Sequence, residues 1–163
     1  MNAITSCAHV YGDNIDTDRI IAGKYTKTLD MSHLAAHVLE DLDPTFKDCV
    51  QPGDILVAGD NFGCGSSREQ APLALKVAGV SVVVASYFAR IFYRNAINIG
   101  LPVVEIGNHT IQPNATVSVS LLNGTVLDET SGISYQATKM PVVMVDILQA
   151  GGLVNYLKEN GRY

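Results

Sequence analysis

The chain has 163 residues, of which 47% are hydrophobic and 17% charged, and its formal net charge is −5. This length and composition suffice for one compact domain with a sizeable core and exclude an intrinsically disordered chain. The acidic balance argues against a nucleic-acid-binding protein, which needs a basic face to engage phosphates. A small anionic substrate is still allowed, because one or two well-placed arginine or lysine side chains are enough to bind it.

Three cysteines, Cys7, Cys49 and Cys64, are spread along the chain without a C-x-x-C pair. The odd count and the wide spacing argue against a disulfide framework and against a self-contained zinc or iron–sulfur site. The sequence shows no signal-peptide pattern, and no apolar run approaches the ~20 residues of a membrane helix. We therefore expect a cytoplasmic protein that does not bind membranes.

The first strand is predicted at residues 3–11, and it leads into a polar loop. Helical spacing then predicts a helix over residues 31–42, which Ser32 caps and Pro44 ends. Its apolar stripe consists of Leu34, Val38 and Leu42.

The middle of the chain alternates between strands and helices. Apolar runs predict strands at residues 55–58, 80–85 and 103–106, and helices at 68–78 and 88–99 lie between them. The β-branched run at 80–85 is typical of a strand that is buried on both faces. The alternation predicts a parallel or mixed sheet.

The C-terminal part is antiparallel. Two alternating segments, 116–121 and 125–128, flank Asn123-Gly124, which is the strongest short signal for a hairpin. A third strand at 133–137 and two short helices at 143–150 and 153–159 follow. The predicted fold is α/β, with a mixed sheet and an antiparallel C-terminal addition, in a single domain over residues 1–163.

The glycine-rich segment from Gly63 to Glu69 follows a buried strand and precedes a helix. Glycines let the backbone turn tightly, and the first N–H groups of a helix are unpaired and favour an anion. Arg68 adds a planar fork that can hold a carboxylate through two hydrogen bonds. The segment is therefore a candidate anion-binding turn.

Other glycine-loop motifs do not fit this segment. Arg68 stands where the dinucleotide-binding pattern needs a third glycine, the Gly-Lys-Ser/Thr of the P-loop is absent, and glycine occupies the centre of a G-x-S-x-G elbow. A purely structural turn, with Ser66 or Ser67 as a helix N-cap and Arg68 in solvent, remains the alternative.

The segment from Asp60 to Pro72, DNFGCGSSREQAP, resembles the signature of the small subunits of 3-isopropylmalate dehydratases and is similar to the C-terminal swivelling domain of aconitases. Three more segments agree with that family in order and spacing, at residues 11–21, 86–96 and 98–102. One departure is Gln70, where family members commonly have histidine. The resemblance covers nearly the whole chain and implies an aconitase-type swivelling β/β/α domain.

The resemblance implies a hydro-lyase that removes water from a 2-hydroxy dicarboxylic acid and adds it back, with isomerisation of isopropylmalate in leucine biosynthesis as the first candidate. The serine that matches Ser66 would be the base, and Arg68 would bind a substrate carboxylate. Ser67 would support them through its N–H or hydroxyl. Backbone N–H groups in a water-excluded site would stabilise the serine alkoxide.

The resemblance also implies two further substrate contacts. Asp18 matches an aspartate that lines the aconitase active site, although it can equally stabilise its own loop. The loop over residues 24–30 is expected to reach over the substrate with Lys27 and Thr28. Its polar, cationic tip suits a substrate with an extra carboxylate or a smaller tail better than an isopropyl group, unless Lys27 points into solvent.

In this family a 4Fe-4S cluster acts as Lewis acid on the departing hydroxyl. The cysteines of this chain are too few for such a cluster, so no cofactor is expected here and the cluster is expected on a separate large subunit. We therefore predict a heterodimer that is inactive without the large subunit, and self-association of the isolated chain stays open.

Several alternatives remain. A sister hydro-lyase of the homoaconitase, dimethylmalate or citramalate type would share every motif, and a non-catalytic anion-binding regulatory domain is the third hypothesis. Arg90 and Arg94, four residues apart on one helix, are interpreted as structural or partner-contacting residues. His33 and His37 have a spacing compatible with metal but lack a third ligand, which favours a helix-face role.

Overall fold

The computed structural model describes residues 3–27 and 30–161. Within these residues the strands are β1 (Ile4–Val10), β2 (Ile55–Ala58), β3 (Val82–Ala85), β4 (Val103–Glu105), β5 (Thr116–Ser120), β6 (Thr125–Asp128) and β7 (Ile133–Gln136). The α-helices are α1 (Thr17–Ile20), α2 (Met31–His37), α3 (Phe46–Cys49), α4 (Gln70–Ala78), α5 (Arg90–Asn98), α6 (Val142–Gln149) and α7 (Leu153–Asn160). A short 3-10 helix spans Gly23–Tyr25.

The strands form one sheet in the order β4-β3-β2-β1-β5-β6-β7. The pairs β1–β2, β2–β3 and β3–β4 are parallel, and the pairs β1–β5, β5–β6 and β6–β7 are antiparallel. Strand β1 is divided between the two halves: residues 4–7 pair with β5, and residues 8–10 pair with β2. The predicted α/β class, with a mixed sheet and an antiparallel C-terminal part, is confirmed.

The parallel half forms the centre of the core. Every residue of β2, β3 and β4 is buried, as expected for parallel strands that are covered on both faces. Helix α4 packs against α2 and α5, and α5 packs against α6 and α7. This arrangement holds the loops that follow β1 and β2 next to the beginning of α5.

The hairpin at Asn123-Gly124 is confirmed, and Gly124 has the positive φ of 66° that the turn needs. In this antiparallel half the burial alternates, with Val117 and Val119 pointing inward from β5. One face of β5 and β6 is therefore packed and the other is accessible to solvent, while β7 at the edge of the sheet is largely exposed.

The helix predicted at 31–42 is shorter than expected and ends at His37. Val38 is extended, and Leu39 has a φ of 54° and donates its N–H to Ile20 O at 2.8 Å. Both side chains are fully buried, so tertiary packing interrupts a helical pattern that continues to Leu42. The N-cap was also predicted wrongly, because Asp30 accepts from Ser32 N at 3.0 Å.

Helices α1 and α3, of four residues each, were not predicted from the sequence. Single turns of this length have too few residues to show a hydrophobic period. Among the residues that the structure describes, no helix is long and apolar enough to cross a membrane.

Candidate functional site

The segment that we call the site turn, residues 63–68, connects β2 to α4. Gly63 has a φ of 83°, and a Cβ on it would lie 2.3 Å from Phe92 Cγ. Gly65 has a φ of 93°, and a Cβ there would meet Asp16 at 3.3 Å. Both positions therefore have a backbone conformation in which L side chains are strained, and at Gly63 the backbone also lies directly against α5.

The loop after β1 is hydrogen-bonded to the site turn. Ile15 O accepts from Gly63 N, and Thr17 N donates to Cys64 O, both at 2.8 Å. The hydroxyl of Thr17 donates to Ser66 O at 2.8 Å, and Thr17 is only 3% exposed. Three hydrogen bonds between distant segments thus fix the position of Ser66 relative to β1.

Helix α4 begins at Gln70, two residues later than predicted, and its N-cap is Glu69 without a side-chain hydrogen bond. The alternative role of Ser66 or Ser67 as N-cap is therefore wrong. The N–H groups of Ser66, Ser67 and Arg68 donate no hydrogen bond to any part of the chain that the structure describes. They remain available to an anion, as the candidate anion-binding turn requires.

Arg68 lies against the loop after β1. Its Nη1 donates to the carboxylate of Asp18 and to Ile21 O, the latter at 3.3 Å. Asp18 also accepts from Gly23 N at 3.2 Å, and a Cβ on Gly23 would lie 3.2 Å from Nη2 of Arg68. Since Nη2 and Nε make no hydrogen bond within residues 3–27 and 30–161, the outer edge of the guanidinium is free to bind a carboxylate.

Ser66 and Ser67 are exposed, and neither hydroxyl is hydrogen-bonded within the described ranges. A cavity of about 240 Å³ lies between the site turn and the first residues of α5, from Ala89 to Phe92. The water-excluded surroundings that a serine base requires are therefore not provided by this chain alone.

The loop with Lys27 is tied to the start of α4. Gln70 Nε2 donates to Thr26 O at 3.2 Å, and Thr26 Oγ1 donates to Gly23 O at 2.7 Å. The ring of Tyr25 stacks on His37, with 3.8 Å between the ring centroids. Lys27 is exposed, whereas Thr28 lies outside the described residues.

The other polar and charged side chains near these loops make hydrogen bonds or ring contacts within the chain. Asp16 caps α1 by accepting from Arg19 N at 3.0 Å. His37 Nδ1 lies 2.7 Å from Glu40, and its ring contacts His33, so the pair forms a helix-face cluster. Arg90 Nη2 donates a hydrogen bond to Glu105 Oε2 at 2.5 Å.

The cysteines do not fit an iron–sulfur cluster. Cys64 is half-buried in the site turn, Cys49 is exposed at the end of α3, and Cys7 approaches only Asn114 Oδ1, at 4.0 Å. Within the described ranges no group of three histidine, cysteine, aspartate or glutamate residues is placed to hold a metal ion. The three cysteines therefore do not form a ligand set for such a cluster among the residues that the structure describes.

Thr17, Gly23 and Phe92 shape the site, yet sequence reasoning did not select them. Thr17 lies between two aspartates, which are the more typical site residues. Gly23 precedes a polar loop and is not part of a turn dipeptide. Phe92 reads as an ordinary core residue. Their contacts join segments far apart in the chain, so no local pattern identifies them.

Comparison with known proteins identifies the family. The aconitase C-terminal domain model matches residues 43–109. A 3-isopropylmalate dehydratase small subunit of Caldicellulosiruptor bescii is 55% identical over 93% of this chain and 92% of its own length. A 2,3-dimethylmalate dehydratase small subunit of Eubacterium barkeri is 52% identical over 90% and 91%.

A solved structure agrees with these sequence relatives. The crystal structure of 3-isopropylmalate dehydratase from Methanocaldococcus jannaschii superposes with a TM-score of 0.93 and 42% identity, and the match covers 98% of this chain and 96% of that one. The predicted family, fold class and assignment to a hydro-lyase small subunit are confirmed by these relatives. The chain belongs to the family of 3-isopropylmalate dehydratase small subunits.

Proposed function

We propose that this chain, with a large subunit that carries a 4Fe-4S cluster, interconverts 2-isopropylmalate and 3-isopropylmalate by dehydration and rehydration. The observation that carries the proposal is the arrangement of Ser66 and Arg68. The serine hydroxyl is exposed, and the guanidinium beside it is held on one edge by Asp18 and Ile21 O while its other edge is free. A hydroxy diacid needs this combination, a base next to a carboxylate-binding fork.

In this proposal the Ser66 alkoxide takes a proton from the carbon next to the hydroxyl-bearing carbon, and the electron pair of that C–H bond forms the C=C bond. The C–O bond breaks, and the departing hydroxide takes up one proton to become water. The unpaired N–H groups of Ser67 and Arg68 lie in the same turn, where they favour negative charge on the serine oxygen and on the substrate. Arg68 binds a substrate carboxylate through Nη2 and Nε. Asp18 acts on Arg68, whose Nη1 it holds, and so positions the guanidinium.

A small subunit implies a large-subunit partner, and the exposure of Ser66 supports the same arrangement. Docking of the large subunit over the site turn would exclude water from the serine and from the carboxylates. The cysteine positions support placing the cluster on that subunit, since residues 3–27 and 30–161 bring no three cysteines together. The loop with Lys27, together with Thr28, is proposed to contact the part of the substrate that differs between acids.

A second candidate is a dehydratase for a smaller methylated malate. The 52% identity to a 2,3-dimethylmalate dehydratase small subunit favours it, and so does the polar Thr26-Lys27-Thr28 tip. The fold and the site turn serve both reactions equally, so the two differ in the loop and in the large subunit.

The test is co-expression with the cognate large subunit, anaerobic reconstitution of iron and sulfide, and a hydratase assay with isopropylmalate and dimethylmalate. We expect turnover only in the complex, and a loss of hundredfold or more in Ser66→Ala while the subunits remain assembled. Stoichiometric iron and sulfide on this chain alone would contradict the placement of the cluster. Near-normal rates in Ser66→Ala would refute the role of the serine as base.

A further inference from the structure

A second concave surface, which we call the α5–α6 groove, runs between helices α5 and α6 and has a volume of about 420 Å³. Its apolar lining comes from both helices, and two arginines of α5 stand at its side. The residues that matter here are Arg90, Arg94, Ile97, Val143, Met144 and Ile147. Such an apolar surface beside two cations suits a protein segment with apolar and acidic side chains.

The groove is continuous with the functional site. Arg90 lines both the groove and the cavity at the site turn, and the residues from Ala89 to Phe92 form the wall of that cavity. The two concavities are therefore separated by the first turn of α5 only. A partner that covers Ser66 would therefore also contact α5.

The charges at the groove are unequal. Arg90 is bonded to Glu105 at 2.5 Å and to Phe88 O at 3.2 Å, so its position is fixed within the chain. Arg94 is exposed and has no ion-pair partner among the residues that the structure describes. In a chain of net charge −5, one unpaired cation beside an apolar groove is a local departure from the general surface charge.

We propose that the α5–α6 groove is a docking surface for the large subunit, which inserts apolar side chains between the helices and places a carboxylate against Arg94. The inference rests on the proposed function, because that function supplies the partner and requires it to cover the site turn. A stable interface buries about 800 Å² on each partner. The cavity beside Ser66 is too small to provide that area, and the groove is the concave surface that shares a helix with it.

The test uses three matched substitutions. Val143, Ile91 and Val154 are each the second residue of a helix and are 38%, 54% and 64% exposed. Aspartate at that position is favourable for the helix dipole, so each variant is expected to fold. Val143→Asp acts in the groove, Ile91→Asp acts at the cavity next to it, and Val154→Asp on α7 is the control.

Affinity for the reconstituted large subunit is measured by calorimetry, with circular dichroism as a check of folding. We expect Val143→Asp, Ile91→Asp and Arg94→Glu each to weaken binding by roughly tenfold or more, and Val154→Asp to change it by less than about twofold. At saturating large subunit, Val143→Asp should retain the wild-type kcat, because the groove does not contact the substrate.

The outcomes separate the two proposals. If the wild-type chain binds the large subunit and Val143→Asp and Arg94→Glu bind equally well, the docking surface is wrong and the proposed function stands. If the wild-type chain neither binds the large subunit nor supports turnover, the proposed function fails and the docking surface fails with it. Weakened binding by Val143→Asp and Arg94→Glu, together with normal binding and lost turnover in Ser66→Ala, supports both.

Discussion

Arg68 donates Nη1 to the carboxylate of Asp18, a residue fifty positions earlier in the chain, so that the cationic side chain of the site turn is held by the loop after β1. Asp18 in turn accepts from Gly23 N, which connects the same loop to the segment that carries Lys27. One carboxylate thus orients the guanidinium and organises its surroundings.

Asp18→Asn should lower kcat/KM by roughly tenfold, mainly through KM, because a neutral amide holds the guanidinium less firmly than a carboxylate does. Arg68→Lys should lose more, since a point charge cannot replace a planar fork. Steady-state kinetics of the assembled enzyme measure both effects. Asp60→Asn, an exposed aspartate before the site turn, is the control and should behave like the wild type.

Gly23→Ala should impair catalysis and leave stability nearly unchanged. The added Cβ would lie 3.2 Å from Nη2 and 3.3 Å from Nη1 of Arg68, so the guanidinium must shift by a few tenths of an ångström. We expect a loss of about tenfold in kcat/KM, because misplacement of a binding group is costly. Gly12→Ala, where a Cβ meets nothing within 4 Å, is the matched control, and equal kinetics in the two variants would contradict the prediction.

Gln70→Glu keeps the size of the side chain and removes its donor to Thr26 O. The loss of one hydrogen bond, about 1 kcal/mol, should raise KM roughly fivefold with little change in kcat. Hydrogen exchange at residues 23–27 should become faster in parallel. Gln149→Glu on the exposed face of α6 makes the same chemical change elsewhere and should leave KM and exchange unaltered.

Lys27→Val tests whether the loop reads the substrate. If the ammonium faces the variable tail, the variant should lose turnover of an acid with an extra carboxylate and spare or improve isopropylmalate. The ratio of kcat/KM for the two acids should change by more than roughly tenfold, because polar recognition discriminates more sharply than apolar fit. Lys47→Val on α3 serves as the control. An unchanged ratio would show that Lys27 does not contact the substrate. The polar loop tip would then no longer argue against isopropylmalate as the substrate.

The hydrogen bonds to the Asp54 carboxylate predict that the fold loses stability in acid. Burial raises the pKa of its carboxyl, but hydrogen bonds from His9, Gln51 N and Ser6 outweigh burial, and the net pKa lies below the usual value. The carboxylate therefore stabilises the fold above the unfolded-state pKa of about 3.9, and this contribution is lost as pH falls through the lower folded-state pKa.

Asp54→Asn should reduce the free energy of unfolding by about 1–3 kcal/mol at pH 7 and flatten its dependence on pH below about 4. Urea unfolding at several pH values measures both quantities. Asp41→Asn, at an exposed position, should leave the curve unchanged. A variant with the wild-type slope in acid would show that another carboxylate dominates.

The sequence predicted the strands around the site turn well, because apolar runs such as residues 55–58 are buried on both faces and carry a strong signal. The family's motif also selected Ser66 and Arg68 as candidate site residues, and both lie in the site turn. The sequence did not show that Thr17 hydrogen-bonds Ser66 or that Asp18 holds Arg68, since these pairs depend on the parallel pairing of β1 and β2. The end of α2 was mispredicted for the same reason, because the bond from Leu39 N to Ile20 O is non-local.

The division of β1 between two partners has a consequence for folding. Strands β5 to β7 form a meander of short loops, whereas both partners of β1 are distant in the chain. Strand β2 follows β1 after more than forty residues, and β5 follows it after more than one hundred. Closure of such a loop costs more entropy than closure of a hairpin, so non-local parallel pairing is slow. Thr17, Asp18 and Gly23 all lie on that closing segment. Substrate-binding competence should therefore appear in a slow refolding phase, after the local meander of β5 to β7 has formed.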